Sequence, residues 1–160
     1  MSMILTGPDE LRDRFSELDG SPLQIDPPLD LFYSADPISV FADDYAALLT
    51  PKEWLIAPTV QIWMLHWHKF VKEEFPDVQV GFMDPGRTNA IMLNDNRGGV
   101  LQYMGKALRE NRDKRLIFIP YHQVDHWILT VLMPRERALY VYDSDKKSNK
   151  MLMITAAVEE

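Results

Sequence analysis

His126 and Asp143 are the two side chains of this 160-residue sequence whose types and spacing suit joint acid–base chemistry. Each stands at the end of a strand-like run. Trp127 to Met133 and Ala138 to Tyr142 are rich in Ile, Leu, Val and Tyr, and the short Pro134-Arg135-Glu136-Arg137 segment between them predicts an antiparallel hairpin. A hairpin symmetric about the 134/135 bond sets His126 directly opposite Asp143, with Cβ atoms about 4.5–5.5 Å apart. A carboxylate placed there accepts the imidazole N–H, fixes its tautomer and raises its basicity, as the orienting acid of a catalytic triad does. The expectation depends on register, because a slip of one residue sends the two side chains to opposite faces. A His and an Asp at two strand ends are also a common surface pair. The pair alone does not decide between these readings.

Other residues narrow the chemistry. The sequence contains no cysteine, so these residues form no disulfide, thiolate metal site or cysteine nucleophile. His66 and His68, two apart in a helical stretch, point about 200° from each other and do not chelate together. His122 and His126 are four apart, but in a strand rather than on one helical face. Asp143-Ser144-Asp145 has the look of a divalent-cation motif of nucleotide-sugar transferases. The calcium-loop pattern fails, however, with Lys147 where a third oxygen ligand belongs and Ser148 where Gly belongs. Gly98-Gly99 lacks the spacing of a phosphate loop, and no Ser sits in a nucleophile elbow. No metal and no cofactor are expected.

The elements that must position His126 and Asp143 are best marked from residue 50 onward. Thr50-Pro51-Lys52-Glu53 is a helix-start signal. Pro58 opens a longer helical stretch ending near Phe75-Pro76, in which Val60, Trp63, Met64, Trp67 and Val71 share one face; Ile62 and Leu65 lie roughly opposite. A second helix follows Gly98-Gly99, with Val100, Tyr103, Met104, Ala107 and Leu108 on one face. Arg115 to Ile119 then precedes the two hairpin strands, and Met151 to Glu160 reads as a last helix. Residues 1–49 differ in texture. Pro8, Pro22, Pro27, Pro28 and Pro37 punctuate them, with short helices expected over 8–18 and 39–49 and a turn-rich segment, 22–37, lying over the main body. The fold class is α+β.

Composition bounds the rest. The length is that of one domain, and 46% apolar with 26% charged residues excludes wholesale disorder. No apolar run approaches the roughly 18 residues of a membrane span, and the N-terminus carries no basic region of a secretory signal. An intracellular address, nuclear or cytoplasmic, and no membrane partner are expected. A net charge of −7 disfavours nucleic acid, and the two basic clusters, Lys106 to Arg115 and Lys146-Lys147 with Lys150, read as solvated faces.

The wording around the His and the Asp adds a family. Phe118-Ile119-Pro120-Tyr121, His126-Trp127-Ile128-Leu129 and Val141-Tyr142-Asp143-Ser144 together resemble the ubiquitin-like-protein proteases, the SUMO-deconjugating cysteine peptidases related to the adenoviral protease. Leu49-Thr50-Pro51-Lys52-Glu53-Trp54-Leu55 is similar to that family's opening motif, and Gly81-Phe82-Met83-Asp84-Pro85 looks like a linker of its plant, often transposon-borne, members. The resemblance covers about residues 48–160. It implies that His126 is the general base and Asp143 its orienting acid. Trp54 and Trp127 match the indoles that clamp a modifier's Gly-Gly tail, which fits between flat rings because it carries no side chains.

Two departures shape the functional expectation. The family follows its Trp-Leu with Asn-Asp, whose acid helps hold a basic residue on the modifier, whereas Ile56-Ala57 stand here. The family's Gln and nucleophilic Cys lie beyond the Asp-Ser motif, and no Cys is present. Without a thiolate no acyl-enzyme forms. The resemblance therefore implies an incomplete papain-like, adenoviral-protease-like fold, with an N-terminal arm over 1–49 and a protease-like domain over 50–160 lacking the Cys-bearing part. Losing the Cys helix would leave apolar sheet surface over 115–142, a partner site or an aggregation liability unless covered by the arm over 1–50, the helix over 151–160, a second copy or another protein. The expected function is a catalytically inactive, protease-derived interaction module. Its partner would be a second copy in a homo-oligomer, an unrelated protein or a ubiquitin-like modifier. A fragment of an active deSUMOylating protease and a metal-dependent transferase using Asp143 and Asp145 are the alternatives.

Overall fold

The computed structural model describes residues 19–44, 55–123, 126–145 and 153–159. The expected helix over 8–18, the start signal at 50–53 and Trp54 lie outside them. In chain order the elements are β1 (Leu23–Ile25), α1 (Leu29–Phe32), β2 (Ile38–Val40), α2 (Ala57–Glu74), β3 (Val80–Phe82) and α3 (Ala90–Asp95). They continue with α4 (Arg97–Glu110), β4 (Leu116–Gln123), β5 (His126–Met133), β6 (Ala138–Tyr142) and α5 (Met153–Glu159). The class is α+β, as expected. One sheet has the order β3-β4-β5-β6, and β1 pairs with β2 in a separate antiparallel ribbon. The hairpins β4–β5 and β5–β6 are antiparallel, whereas β3 runs parallel to β4.

Strand alternation divides the core in two. Ile117, Ile119 and Tyr121 of β4 and Ile128 of β5 point to one face of the sheet. They pack there with Leu93 of α3, Val100, Tyr103, Met104 and Ala107 of α4, and Ile154 and Ala157 of α5. The α4 face is the one its spacing predicts, and Asn96 caps the helix by accepting the Gly99 N–H at 3.1 Å. The helix begins at Arg97, so the paired glycines lie inside its first turn rather than before it.

On the other face Phe118 stacks on Phe82 at 5.8 Å, next to a second core of Leu31, Phe32, Ile38, Val40 and Met64. The turn-rich 22–37 segment is thus more than a surface covering, since Leu31 and Phe32 are fully buried. Where a helix over 39–49 was expected, residues 38–40 form β2 and 42–44 a helical turn; 45–49 lie outside the described residues.

Two details of the sequence reading need correction. The α2 helix turns Met64 and His68 inward, while Trp63 and Trp67, expected on the buried face, are exposed. Polar partners account for the rotation: Gln61 donates to Asp84 at 2.6 Å, and His68 lies 3.4 Å from the Asp30 carboxylate. Second, β4 does not stop at Ile119 but runs through Pro120 to Gln123. Pro120 is tolerated because β3 pairs only as far as Phe118, leaving the missing N–H on an unpaired flank.

Candidate functional site

The β5–β6 hairpin builds the site from its open end. Met133 pairs with Ala138 and Leu129 with Tyr142, so the hairpin is symmetric about the 135/136 bond, one bond later than expected. Extending that ladder brings Asp143 opposite Ile128, and His126 becomes its diagonal neighbour rather than its direct one. The register is therefore off by two residues, an even number, and both side chains still share a face. Diagonal neighbours lie within reach of longer side chains. His126 Nε2 and Asp143 Oδ1 are 2.5 Å apart.

The carboxylate is held from a second side. Asp143 Oδ1 also accepts the backbone N–H of Asp145 at 2.8 Å, a local turn that fixes the Asp143 rotamer. With an ionised carboxylate as partner, Nε2 is the protonated ring nitrogen and Nδ1 carries the lone pair. The pair is partly sheltered, with side chains 32% and 17% exposed. Such a dyad can take a proton at Nδ1 from a hydroxyl, thiol or water, the carboxylate stabilising the imidazolium that results.

Trp127 follows His126 and so points to the other face of the strand. Its indole N–H donates to the carbonyl of Leu55 at 2.6 Å, and its ring lies 4.7 Å from that of His122, its cross-strand partner. The bond to Leu55 brings the segment that follows Trp54 to the edge of the Trp127 ring; Trp54 itself is outside the described residues. Leu55 is exposed.

Two residues here were given no site role from the sequence, although Tyr121 stands in the Phe118 to Tyr121 run. Gln123 is the direct partner of His126, and Tyr121 that of Ile128, so both share the face of His126. Gln123 Oε1 and Tyr121 Oη are buried with no hydrogen-bond partner among the described residues, and burial pushes the Tyr121 hydroxyl pKa up. A buried oxygen left unpaired costs about 1–3 kcal/mol, so these atoms accept a donor readily.

The remaining candidates separate. His66 is exposed and meets the edge of Trp63, while His68 is buried against Phe82, where burial lowers its pKa. Asp143 Oδ1 is taken up by His126 and a backbone N–H, and among the described residues no three His, Asp or Glu side chains gather as metal ligands do. Among the described residues no helix is long and apolar enough to cross a membrane.

No family model matches the sequence, and no curated relative does either. Solved structures do match in fold. A de-sumoylating protease superposes with a TM-score of 0.58 at 13% identity, over 86% of this chain and 54% of its own. The Ulp1-like SUMO protease catalytic domain of Chaetomium thermophilum gives 0.55 at 18% identity, over 99% of this chain and 64% of its own. The chain thus spans between about half and two thirds of the proteins it resembles. At these identities the likeness establishes architecture, and the architecture is the α+β fold of Ulp1-like SUMO proteases.

Proposed function

We propose that these 160 residues form a protein-binding module on the SUMO-protease fold, one that holds a protein partner without cleaving it. The observation that carries this is the coincidence of a formed His126–Asp143 pair, 2.5 Å apart, with a sequence that has no cysteine. The base is oriented, and the thiol it would activate is not among these residues. On this reading His126 and Asp143 are vestigial as catalysts, and Trp127, with Trp54, lines the groove for a modifier's tail. The Leu55 carbonyl bond to Trp127 supports that placement. Ile56-Ala57 widen the choice of partner by removing the acid the family uses on SUMO. The Gly81 to Pro85 segment supports a plant, transposon-associated origin.

The test is to titrate the chain with a ubiquitin-like modifier ending in Gly-Gly, free and as a fluorogenic C-terminal amide. Resonances at Leu55 and Trp127 should shift on binding, and no fluorophore should be released. Release above the buffer rate would sink the inactive reading, and unmoved Leu55 and Trp127 signals would sink the groove.

One set of observations favours a second reading, a fragment of an active protease. The His126–Asp143 pair is formed, Tyr121 Oη and Gln123 Oε1 beside it have no partner among the described residues, and the chain spans only 54% and 64% of the two proteases. A transcript whose frame runs past Glu160 into a Gln- and Cys-bearing segment would establish it. A stop codon there would leave the module reading.

A further inference from the structure

We propose that the β6 edge pairs antiparallel with the β6 edge of a second copy of this chain, about a two-fold axis at Tyr140. The inference rests on the protein-binding reading above and supplies one partner for it. β6 is the last strand in the order β3-β4-β5-β6, so one side of its backbone carries no strand among the described residues. Tyr140, Val141 and Tyr142 are 51%, 42% and 61% exposed, and by alternation they occupy both faces. Folded proteins blunt such edges with lysine, proline or a bulge. Ala138 to Tyr142 has neither residue, and its five pairs with β5 run without interruption.

Charge selects a second copy and an antiparallel direction. The chain enters β6 through Arg137 and leaves through Asp143 and Asp145. Antiparallel pairing about Tyr140 sets Arg137, the last turn residue before β6, against Asp143 of the other copy at both ends of the seam. In-register parallel pairing would set like against like. Asp143 keeps its bond to His126, so these charges act across the seam as a field. They choose direction, while backbone hydrogen bonds and apolar contacts hold the pair.

On one face Tyr140 meets its counterpart and Tyr142 covers Ala138; on the other Leu139 meets Val141. A concavity of about 360 Å³, floored by Phe118, Leu129 and Val131, lies along the same seam beside both tyrosines. A strand of five residues buries less than the roughly 1,200 Å² of stable complexes. The dimer is therefore reversible and depends on concentration.

The absence of cysteine makes the register testable. Tyr140→Cys introduces the sole thiol, opposite its own counterpart. Directly opposed Cα atoms, about 4.5–5.5 Å apart, fall within the range a disulfide spans. Mild oxidation should convert this variant largely to covalent dimer. Tyr142→Cys, on the same face but roughly 14 Å from its counterpart along the strand, should stay mostly monomeric. By light scattering the unmodified chain should climb towards twice the monomer mass as concentration rises. Tyr140→Lys and Tyr140→Asp should each remain monomeric, and mixing them should restore the dimer because Lys then faces Asp. Equal cross-linking of the two cysteine variants, a monomer mass at every concentration, or no rescue on mixing would overturn the pairing. A monomer that still binds the modifier tail removes this inference alone; a dimer that binds none removes only the groove.

Discussion

Replacing Tyr103 by Phe deletes one oxygen atom and undoes two hydrogen bonds that join three parts of the fold. The Tyr103 hydroxyl on α4 accepts the Asp84 backbone N–H at 2.8 Å and donates to the Phe32 carbonyl at 3.0 Å. It thereby ties the loop after β3 and the end of α1 to the central helix. Tyr103, Asp84 and Phe32 are 6%, 5% and 1% exposed, so water does not readily replace the lost partner. An unsatisfied buried group costs about 1–3 kcal/mol, and two are created. The variant no longer has to desolvate a phenol, which offsets part of this. A net loss of about 2–3 kcal/mol follows, and for a chain of this size a fall in Tm of roughly 5–10 °C. The Phe ring preserves the packing and the face over which the Arg87 guanidinium lies at 5.3 Å, so the effect isolates the hydroxyl. Urea unfolding of the variant beside the unmodified chain measures it. Amide exchange at Asp84 should also quicken in Tyr103→Phe. A loss below about 0.5 kcal/mol would refute the reasoning and mean that both orphaned groups find other partners.

Burial raises the pKa of Asp84, against the Gly86 backbone N–H and the Gln61 amide that donate to it. A carboxyl with a raised folded pKa binds protons better folded than unfolded, so its contribution is full below its unfolded pKa and is lost as pH rises through the folded value. Asp84→Asn, neutral throughout, should therefore gain on the unmodified chain at neutral pH, and the gain should shrink towards about pH 4. Urea midpoints across that range test this, and a gain that grows on acidification would contradict it. Gly81 in β3 admits the side chain of Asn111, and a Cβ added there would stand 2.6 Å from Asn111 Cγ and closer still to Oδ1. Asn111 is fully buried and anchored by its bond to the Ala107 carbonyl at 2.9 Å, so Gly81→Ala should cost about 1–3 kcal/mol in urea unfolding. An unchanged midpoint would show that Asn111 moves aside freely.

Much of the frame was legible because it repeats. The α4 stripe of Val100, Tyr103, Met104 and Ala107 follows the helical period, β5 and β6 announce themselves by their Ile, Leu, Val and Tyr content, and the structure keeps all three. β3 escaped notice for a physical reason: Val80-Gly81-Phe82 has no alternation to read and becomes a strand only by pairing in parallel with β4. β1 and β2, three residues each, owe their form to each other in the same way. The α2 helix misled because hydropathy ranks Trp63 and Trp67 above Gln61 and His68. His68 turns inward beside Asp30, and Gln61, partly buried, reaches the buried Asp84 carboxylate. Tyr121 was legible only as part of the Phe118 to Tyr121 run and Gln123 not at all, for only the β4–β5 register places them beside His126.

The misplaced turn shows why the His–Asp pair was nevertheless predictable. Moving the centre of a hairpin by one bond shifts the opposition by two residues, and a two-residue shift preserves faces. His126 and Asp143 were bound to lie on one side of the sheet for any turn centred on a bond between residues. Only a turn centred on a residue, which makes one odd step, would have parted them. What register does alter is distance, and there the local chain compensates. Asp143 sits just past the last ladder pair, where the backbone is free to turn, and the Asp145 N–H draws its carboxylate into place. A catalytic-type pair at the open end of a hairpin is thus robust to the turn at its closed end. The nucleophile has no such protection, because it must come from a different element. On the proposed reading, this asymmetry lets the chain hold the His126–Asp143 pair at 2.5 Å in a sequence without a cysteine.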